Sequence, residues 1–345
     1  MKNLLKYLSP FAPDQSGASG VLYELGGLTV ICDAGGCTGN ICGFDEPRWL
    51  EKKSALFSAG LRDMDAILGR DDRLIQKLKA AVSKTKSDFT AIIGTPVPAV
   101  IATDFKALKT MAEKKTSLPC IAIECTGTKY YDEGEETAYL ELFKTFAAEQ
   151  TPIQKGRLGI IGASPLEISQ KTSDSIIKAA KENGWENPIC YGMGSGIEEI
   201  KAAAGAEKNL VIAPSGIKAA KYLQNKFGTP FEVDYPFIPE SIKNQLSSVS
   251  GKVLIIHQQM IANKIRNLLR ENGNCQCSCA TWFMQIPEYT EEKDIKLKSE
   301  EQLADIVNKE KYDFIIGDKA FRKPVRNFNG EYIDFPHFAV SGRLI

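Results

Sequence analysis

The chain has 345 residues, and its 43 Lys+Arg balance 43 Asp+Glu, so the formal net charge is zero and no basic excess points to nucleic acid as a partner. The length exceeds what one simple core serves and predicts two or three domains. No apolar stretch is long enough to span a bilayer, and Met1 to Pro13 lacks the apolar core and cleavage site of a signal peptide. The cytoplasm is the expected address, and there nine cysteines are expected as ligands or buried thiols, not disulfides.

In chain order, Pro13 to Gly20 holds Asp, Ser and Gly, which predict a turn, a helix N-cap and a short helix through Leu25, ended by Gly26-Gly27. Leu28 to Ile31 reads as a buried strand. It runs into Cys32-Asp33-Ala34-Gly35-Gly36-Cys37-Thr38-Gly39-Asn40-Ile41-Cys42-Gly43, where four glycines and three cysteines fall within twelve residues. Glycine lets a backbone approach a bulky ligand, and a thiolate is a soft ligand for iron or zinc. Such a loop at a strand's end is a seat for a metal cluster; the competing reading is a tight turn with small buried thiols.

Pro47 to Leu56 is expected as a helix and Met64 to Gly69 as extended chain. Asp71 to Val82 is an amphipathic helix. Phe89 to Ile93 is a strand closed by Gly94-Thr95-Pro96, and Asp104 to Lys114 a helix. Pro119 to Glu124 is a strand ending at Cys125-Thr126-Gly127-Thr128. In open α/β sheets ligands sit beyond the carboxyl ends of strands, so Cys37 and Cys125 are placed alike in architecture. Ala138 to Ala148 is helical and Thr151 to Arg157 a linker. Strand and helix then alternate twice more. Strands are expected at Leu158 to Ile161, Ile189 to Tyr191, Leu210 to Ala213, Val253 to Ile256, Cys275 to Trp282 and Phe314 to Ile316. The alternation implies parallel sheets with helices on both faces. The fold class is α/β in three units, with divisions at 1–150, 151–248 and 249–345.

Other motifs have a structural reading beside a functional one. Cys275, Cys277 and Cys279 would share one strand face, as a metal row or, preferred here, as buried thiols. Gly192-Met193-Gly194-Ser195-Gly196 imitates a phosphate-binding turn, although a lone glycine cluster is more often a loop. Gly162-Ala163-Ser164-Pro165 would face an interdomain cleft. His257 is read as a hydrogen-bonded structural histidine, and Arg48 and Trp49 either face a docking partner or start a helix.

The order of Gly17-Ala18, Gly36-Cys37, Ile67-Leu68-Gly69, Cys125-Thr126-Gly127, Phe227-Gly228-Thr229-Pro230-Phe231, Gly251-Lys252-Val253, Phe314-Ile315-Ile316-Gly317 and Phe335-Pro336 resembles the nitrogenase component 1-type proteins over nearly the whole chain. The resemblance implies three Rossmann-like domains and a homodimer or a pairing with a homologous subunit. It also implies an iron–sulfur cluster, [4Fe–4S], at the subunit seam, fed by an ATP-hydrolysing iron–sulfur reductase and passing electrons to a substrate or a second metallocofactor. The chain itself has no G-x-x-x-x-G-K-[ST] phosphate loop, which agrees with ATP being handled by a partner.

Cys37 and Cys125 match the family's cluster cysteines. The cysteine that the family carries just before the Gly-Ala pair is missing; Asp14 stands near that place, as a carboxylate ligand or a cap. Cys42 has no family counterpart and is a candidate to complete the set, while Cys32 is expected to face the core. The chain is closer in size to the tetrapyrrole-reducing relatives, and no cysteine or histidine matches those holding the nitrogenase catalytic cofactor, which disfavours nitrogen reduction. A non-catalytic scaffold for metallocofactor assembly is the second hypothesis and a cluster-free ligand-binding protein the third.

Overall fold

The computed structural model describes residues 5–148, 151–273 and 275–343. Thirteen strands form three sheets, and every paired strand among the described residues runs parallel. The first holds β1 (Leu28–Ile31), β2 (Ala55–Ser58), β3 (Thr90–Ile93) and β4 (Cys120–Ile123) in the order β2-β1-β3-β4. The second holds β5 (Gln154–Ile161), β6 (Asn187–Cys190), β7 (Ala206–Val211) and β8 (Phe231–Val233) in the order β6-β5-β7-β8. The third holds β9 (Gly251–Ile256), β10 (Cys275–Thr281), β11 (Ile295–Lys296), β12 (Phe314–Gly317) and β13 (Glu331–Asp334) in the order β11-β10-β9-β12-β13.

β1 and β3 are buried at every residue, as strands covered by helices on both faces must be. In each sheet the first strand in sequence has a later strand on either side, so β1, β5 and β9 each border a topological switch point, where a crevice opens at the carboxyl edge.

The helix Tyr131–Phe146 runs through the middle of the molecule and is buried at Tyr131, Asp132, Glu135, Tyr139 and Leu142. It lies so close to the helix Asp14–Leu22 that a Cβ on Gly17 would fall 1.9 Å from the Tyr131 carbonyl oxygen, and one on Gly134 1.8 Å from that of Asp14. Only glycine permits that approach. The N-terminal segment is clasped to the third sheet's side of the molecule by buried Glu300, whose carboxylate accepts the backbone N–H groups of Lys6, Tyr7 and Leu8 at 2.9, 3.0 and 2.7 Å.

Three expectations are corrected. Pro47 to Leu56 is not one helix: a 3-10 turn, Pro47–Leu50, stops early, and Ala55–Ser58 pairs with β1 as an edge strand. Met64 to Gly69 is not extended but forms the helix Asp63–Leu68, because Asp65 accepts the Arg62 N–H at its start and Gly69 closes it with φ 61°. The central helix begins at Tyr131, not Ala138, since its first turns are polar yet buried and show no apolar stripe.

Candidate metal centre

The cysteine stretch leaves β1 at the first switch point and is helical: an α-turn at Gly36–Asn40 runs into a π-turn at Ile41–Asp45. π-turns of this kind recur at functional sites. Gly35, with φ 122°, makes the bend that only glycine takes easily. Three anchors hold the loop. Asp33, buried, accepts the Thr38 N–H at 2.8 Å and the Ser58 hydroxyl at 2.6 Å. Asp45 accepts the Ser16 hydroxyl and the Asn40 amide, both at 2.6 Å. Arg48 pairs with Glu46 at 2.7 Å and donates to the carbonyls of Gly20 and Gly192 at 2.7 and 2.9 Å. Arg48 is thus a buried tie between the first and second sheets, and a docking role is ruled out by its burial.

Cys125 leaves β4, two strands from β1, a separation of roughly 10 Å across the sheet. The gap is bridged by the residues after β3. Gly94 presses on Cys125, where an added Cβ would lie 2.7 Å from its carbonyl oxygen. Thr95 donates to the Cys32 carbonyl at 2.8 Å and its hydroxyl interacts with the Cys37 thiol. Asp14, the first residue of its helix, clamps the Cys125 turn: one carboxylate oxygen accepts the Thr126 N–H at 2.9 Å, the other accepts those of Gly127 at 2.8 Å and Gln15 at 3.0 Å. Cys125 is buried with Ile31, Ile93 and Ile123 in the apolar core that runs through all three sheets, and the half-buried Cys37 and Cys42 pack against that core. Cys32 packs in a different cluster, with Leu74 and Phe105, and is core-facing as expected.

Burial pushes each thiol up: Cys37 with help from the Asp33 carboxylate and against the Thr95 hydroxyl, Cys42 with help from Glu46, and Cys125 well up with help from Asp14. These groups are therefore thiols at neutral pH, and a metal binding to them displaces protons. Among the described residues no three His, Cys, Asp or Glu side chains converge on the position of a single ion, so this is no closed mononuclear site of the structural zinc kind.

The loop's other glycines are informative because nothing in the chain demands them. Gly36, Gly39 and Gly43 do not take positive φ, and a Cβ added to any of them would meet nothing within 4 Å. A methyl at any of the three would stand in open space. Beside them a groove of about 840 Å³ opens between Asn40, Gly43 and Phe44 on one wall and Phe11, Phe338 and Gly342 on the other. Phe44 is 75 % exposed and Leu50 89 %; Ile67 after β2 and Val100 after β3 are 74 % and 84 % exposed, so the same carboxyl edge of the first sheet is apolar.

The remaining sequence candidates resolve structurally. Cys277 and Cys279 are buried on β10 and share the apolar core with Ile265 and Leu269 of the helix Gln259–Glu271, as the thiol-face reading expects, but Cys275 at the start of the strand is only half-buried. The Gly192 to Gly196 loop has its N–H groups taken: Gly194 donates to Glu24 at 2.6 Å and Gly196 to Glu199 at 2.9 Å, so it cradles no phosphate here. His257 is buried and accepts the Gln258 N–H at 2.9 Å. The anchors Asp33, Asp45 and Thr95 were not singled out from sequence; Asp33 stands two residues before Gly35, the N-cap of the short helix it braces, and the glycines around it hid that helix.

A protein of three parallel sheets, each with a switch point at its carboxyl edge, is of the doubly wound α/β kind. The family is then specific: that of nitrogenase component 1 type oxidoreductases matches residues 30–271, and the chain belongs to it. Two solved structures share the fold. One, described as "Nitrogenase Cp1 at pH 6.5", superposes with a TM-score of 0.75 at 13 % identity, over 99 % of this chain and 88 % of that one. The other, "Nitrogenase Cp1 at pH 5", gives 0.70 at 12 % identity, over 96 % and 84 %. The expected α/β class and family are both borne out.

Proposed function

We propose that this chain is the electron-accepting component of a two-component reductase, with a [4Fe–4S] cluster held at a seam with a second copy or a homologous subunit. Cys37 and Cys125 are its main thiolate ligands and Cys42 a third. Asp14 belongs to the site through the Cys125 turn that it clamps; direct ligation would engage the lone pairs left beside its amide contacts. The observation that carries the reading is the coincidence, on one strand-end loop, of thiols with three glycines that neither backbone nor packing requires. When bound, such a cluster stores and passes single electrons. The chain's own part is to set the potential through thiolate ligation and burial.

The exposed apolar edge around Phe44, Leu50, Ile67 and Val100 suits the second subunit and an ATP-hydrolysing iron–sulfur reductase. In this reading residues 1–150 form the cluster domain, and 151–248 and 249–345 the other two. A substrate fits the groove beside the cysteine loop. The cavity beside Glu167 and His257, between the second and third sheets, is only about 20 Å³, room for about one water, whereas a pocket of about 520 Å³ opens where Asp132 and Glu136 of the central helix face Lys218, Met284 and Lys296. The alternative is a non-catalytic scaffold on which a metallocofactor is assembled at the open groove.

Purification without oxygen, with iron and sulfide counting and spectroscopy, tests the cluster. Iron and acid-labile sulfide are expected in wild type and lost in Cys37→Ala and Cys125→Ala. An unchanged cluster signal in both variants discards the ligand assignment. Turnover with the reductase and ATP distinguishes an enzyme from a scaffold.

A further inference from the structure

Where the three sheets meet, acidic and imidazole groups are buried that the cluster plays no part in holding. Tyr131 and Glu135 lie one turn apart on the central helix. Ser164 and Glu167 come from the loop after β5, His257 from the loop after β9, and His337 follows β13. All six are buried.

The Tyr131 hydroxyl stands between two titratable groups. It donates to Glu167 Oε1 at 2.7 Å, and His337 Nε2 lies 2.9 Å from the same oxygen. A hydroxyl has one proton to give, so while Tyr131 donates to Glu167, His337 must carry its proton on Nε2. Glu167 Oε2, 3.7 Å from His337 Nε2 and so beyond hydrogen-bond reach of it, and His337 Nδ1 have no hydrogen-bond partner among the described residues. His257 stacks on His337 with ring centroids 4.6 Å apart and planes 11° from parallel, which fixes the direction of the His337 ring.

Among the described residues the surroundings offer Glu167 no free cation. From the central helix it faces Tyr131, Asp132 and Glu135, and Tyr235 comes from beyond β8. Burial holds both imidazoles neutral, His257 down to about 4 and His337 well below the ordinary imidazole range. Arg343 lines the adjoining cavity, but its guanidinium is engaged by Asp334 at 2.7 Å and Asp318 at 3.2 Å. Asp318 also accepts the His337 backbone N–H at 2.9 Å. Burial therefore pushes the Glu135 and Glu167 carboxyls up. Glu135 is satisfied by the hydroxyls of Ser164 and Ser215; Glu167 alone has an oxygen to spare.

We propose that His337, Tyr131 and Glu167 form a proton relay that loads one proton into the three-sheet junction. A proton taken up at His337 Nδ1 releases the Nε2 proton to the Tyr131 oxygen, while the Tyr131 proton passes to Glu167 Oε1. One proton enters and one is kept on the carboxyl. Tyr131 and His337 finish neutral, with His337 converted from the Nε2–H to the Nδ1–H tautomer. Both gaps are ordinary hydrogen-bond distances, so neither hop needs the backbone to move. A proton kept on Glu167 adds a positive charge to the chain that can accompany an electron taken up elsewhere in it; that use, unlike the relay itself, rests on the proposed function.

The chain has two histidines, so ¹⁵N-histidine NMR of the full, metal-free protein reads the relay without any cluster. With carboxyl-labelled glutamate as well, the expected result is that His337 switches from Nε2–H to Nδ1–H at the same pH midpoint at which Glu167 takes up its proton, without becoming imidazolium. Glu167→Gln identifies the carboxyl signal and removes the switch, and Tyr131→Phe removes it while Glu167 still titrates. A wild-type His337 that keeps one tautomer across the Glu167 midpoint overturns the proposal, as does a switch that survives in Tyr131→Phe. The wild-type titration decides even if a variant does not fold. Loss of iron in the cluster experiments leaves this outcome untouched.

Discussion

Asp14→Asn is the sharpest test of how the Cys125 turn is held. The wild-type carboxylate is buried and accepts the Thr126 and Gly127 amides on separate oxygens. Asparagine keeps the shape and one acceptor but turns an N–H₂ group toward a backbone N–H. One charge-assisted hydrogen bond is lost, worth about 1.5–3 kcal/mol. Because Asp14 joins the helix Asp14–Leu22 to one turn only, the loss falls on local opening of residues 125–128 before global unfolding. By the equivalence of about 1.4 kcal/mol to a tenfold change, the open population rises roughly 10- to 150-fold. Cys125 is 2 % exposed, so its alkylation rate under native conditions, followed by peptide mass spectrometry, reports that opening. Cys190, buried in the second sheet, is the internal control. The expected outcome is Cys125 labelled at least about tenfold faster with Cys190 unchanged. Equal rates at Cys125 would refute the clamp, and a parallel rise at both would show that the change acts on the whole fold.

Gly39→Ala places a methyl in open space within a helical turn; the metal-free chain should gain up to about 1 kcal/mol in urea unfolding, while iron retained after anaerobic purification falls, and unchanged iron would count against the space being reserved. Gly94→Ala is the counterpart: its Cβ would meet the Cys125 backbone at 2.7 and 2.9 Å, and a loss of about 1–3 kcal/mol is expected from overpacking. Glu300→Ala removes the acceptor for Lys6, Tyr7 and Leu8; a loss of about 2–3 kcal/mol and faster hydrogen exchange at Tyr7 and Leu8 should follow, and unaltered exchange would show the clasp to be dispensable. Burial raises Asp132 from 3.8 to about 6, so the folded chain binds this proton more tightly than the unfolded one. Its penalty on folding is absent below about pH 4, grows as pH rises to about 6 by at most about 1.4 kcal/mol per pH unit, and is constant above. Asp132→Asn should flatten that segment of the stability–pH curve, and an unaltered slope would place the raised group elsewhere.

The alternation of strands and helices was legible because a parallel strand buried on both faces is a short apolar run, and the helices between carry plain apolar stripes: Asp71–Val82 was found to the residue through Leu74, Ile75 and Leu78. Failures came where the local signal and the tertiary setting disagree. Ile67 and Leu68 look like strand residues but are exposed on a helix, because their apolar character serves the outer edge and not the core. The first turns of the central helix carry Asp132, Glu135 and Glu136, acids that no apolar pattern assigns to an interior. Of the candidate centre, the two strand-end positions of Cys37 and Cys125 could be read. Their supports could not, since Asp33, Asp45 and Thr95 act through contacts with Ser58, Ser16 and Cys32 that only the fold brings near. The junction relay was invisible for the same reason: Tyr131, Glu167 and His337 are more than thirty positions apart at every step.

Arg48 makes the cysteine loop a mechanical dependant of the second sheet. Its guanidinium grips Glu46 within the loop's end and the Gly192 carbonyl beyond β6 at once, so the second sheet cannot swing away without either breaking a buried ion contact or dragging the thiol-bearing turn along. Whatever settles against the second sheet thus has a lever on the geometry of Cys37 and Cys42, and anything that seats on those thiols stiffens the hinge between the two sheets in return.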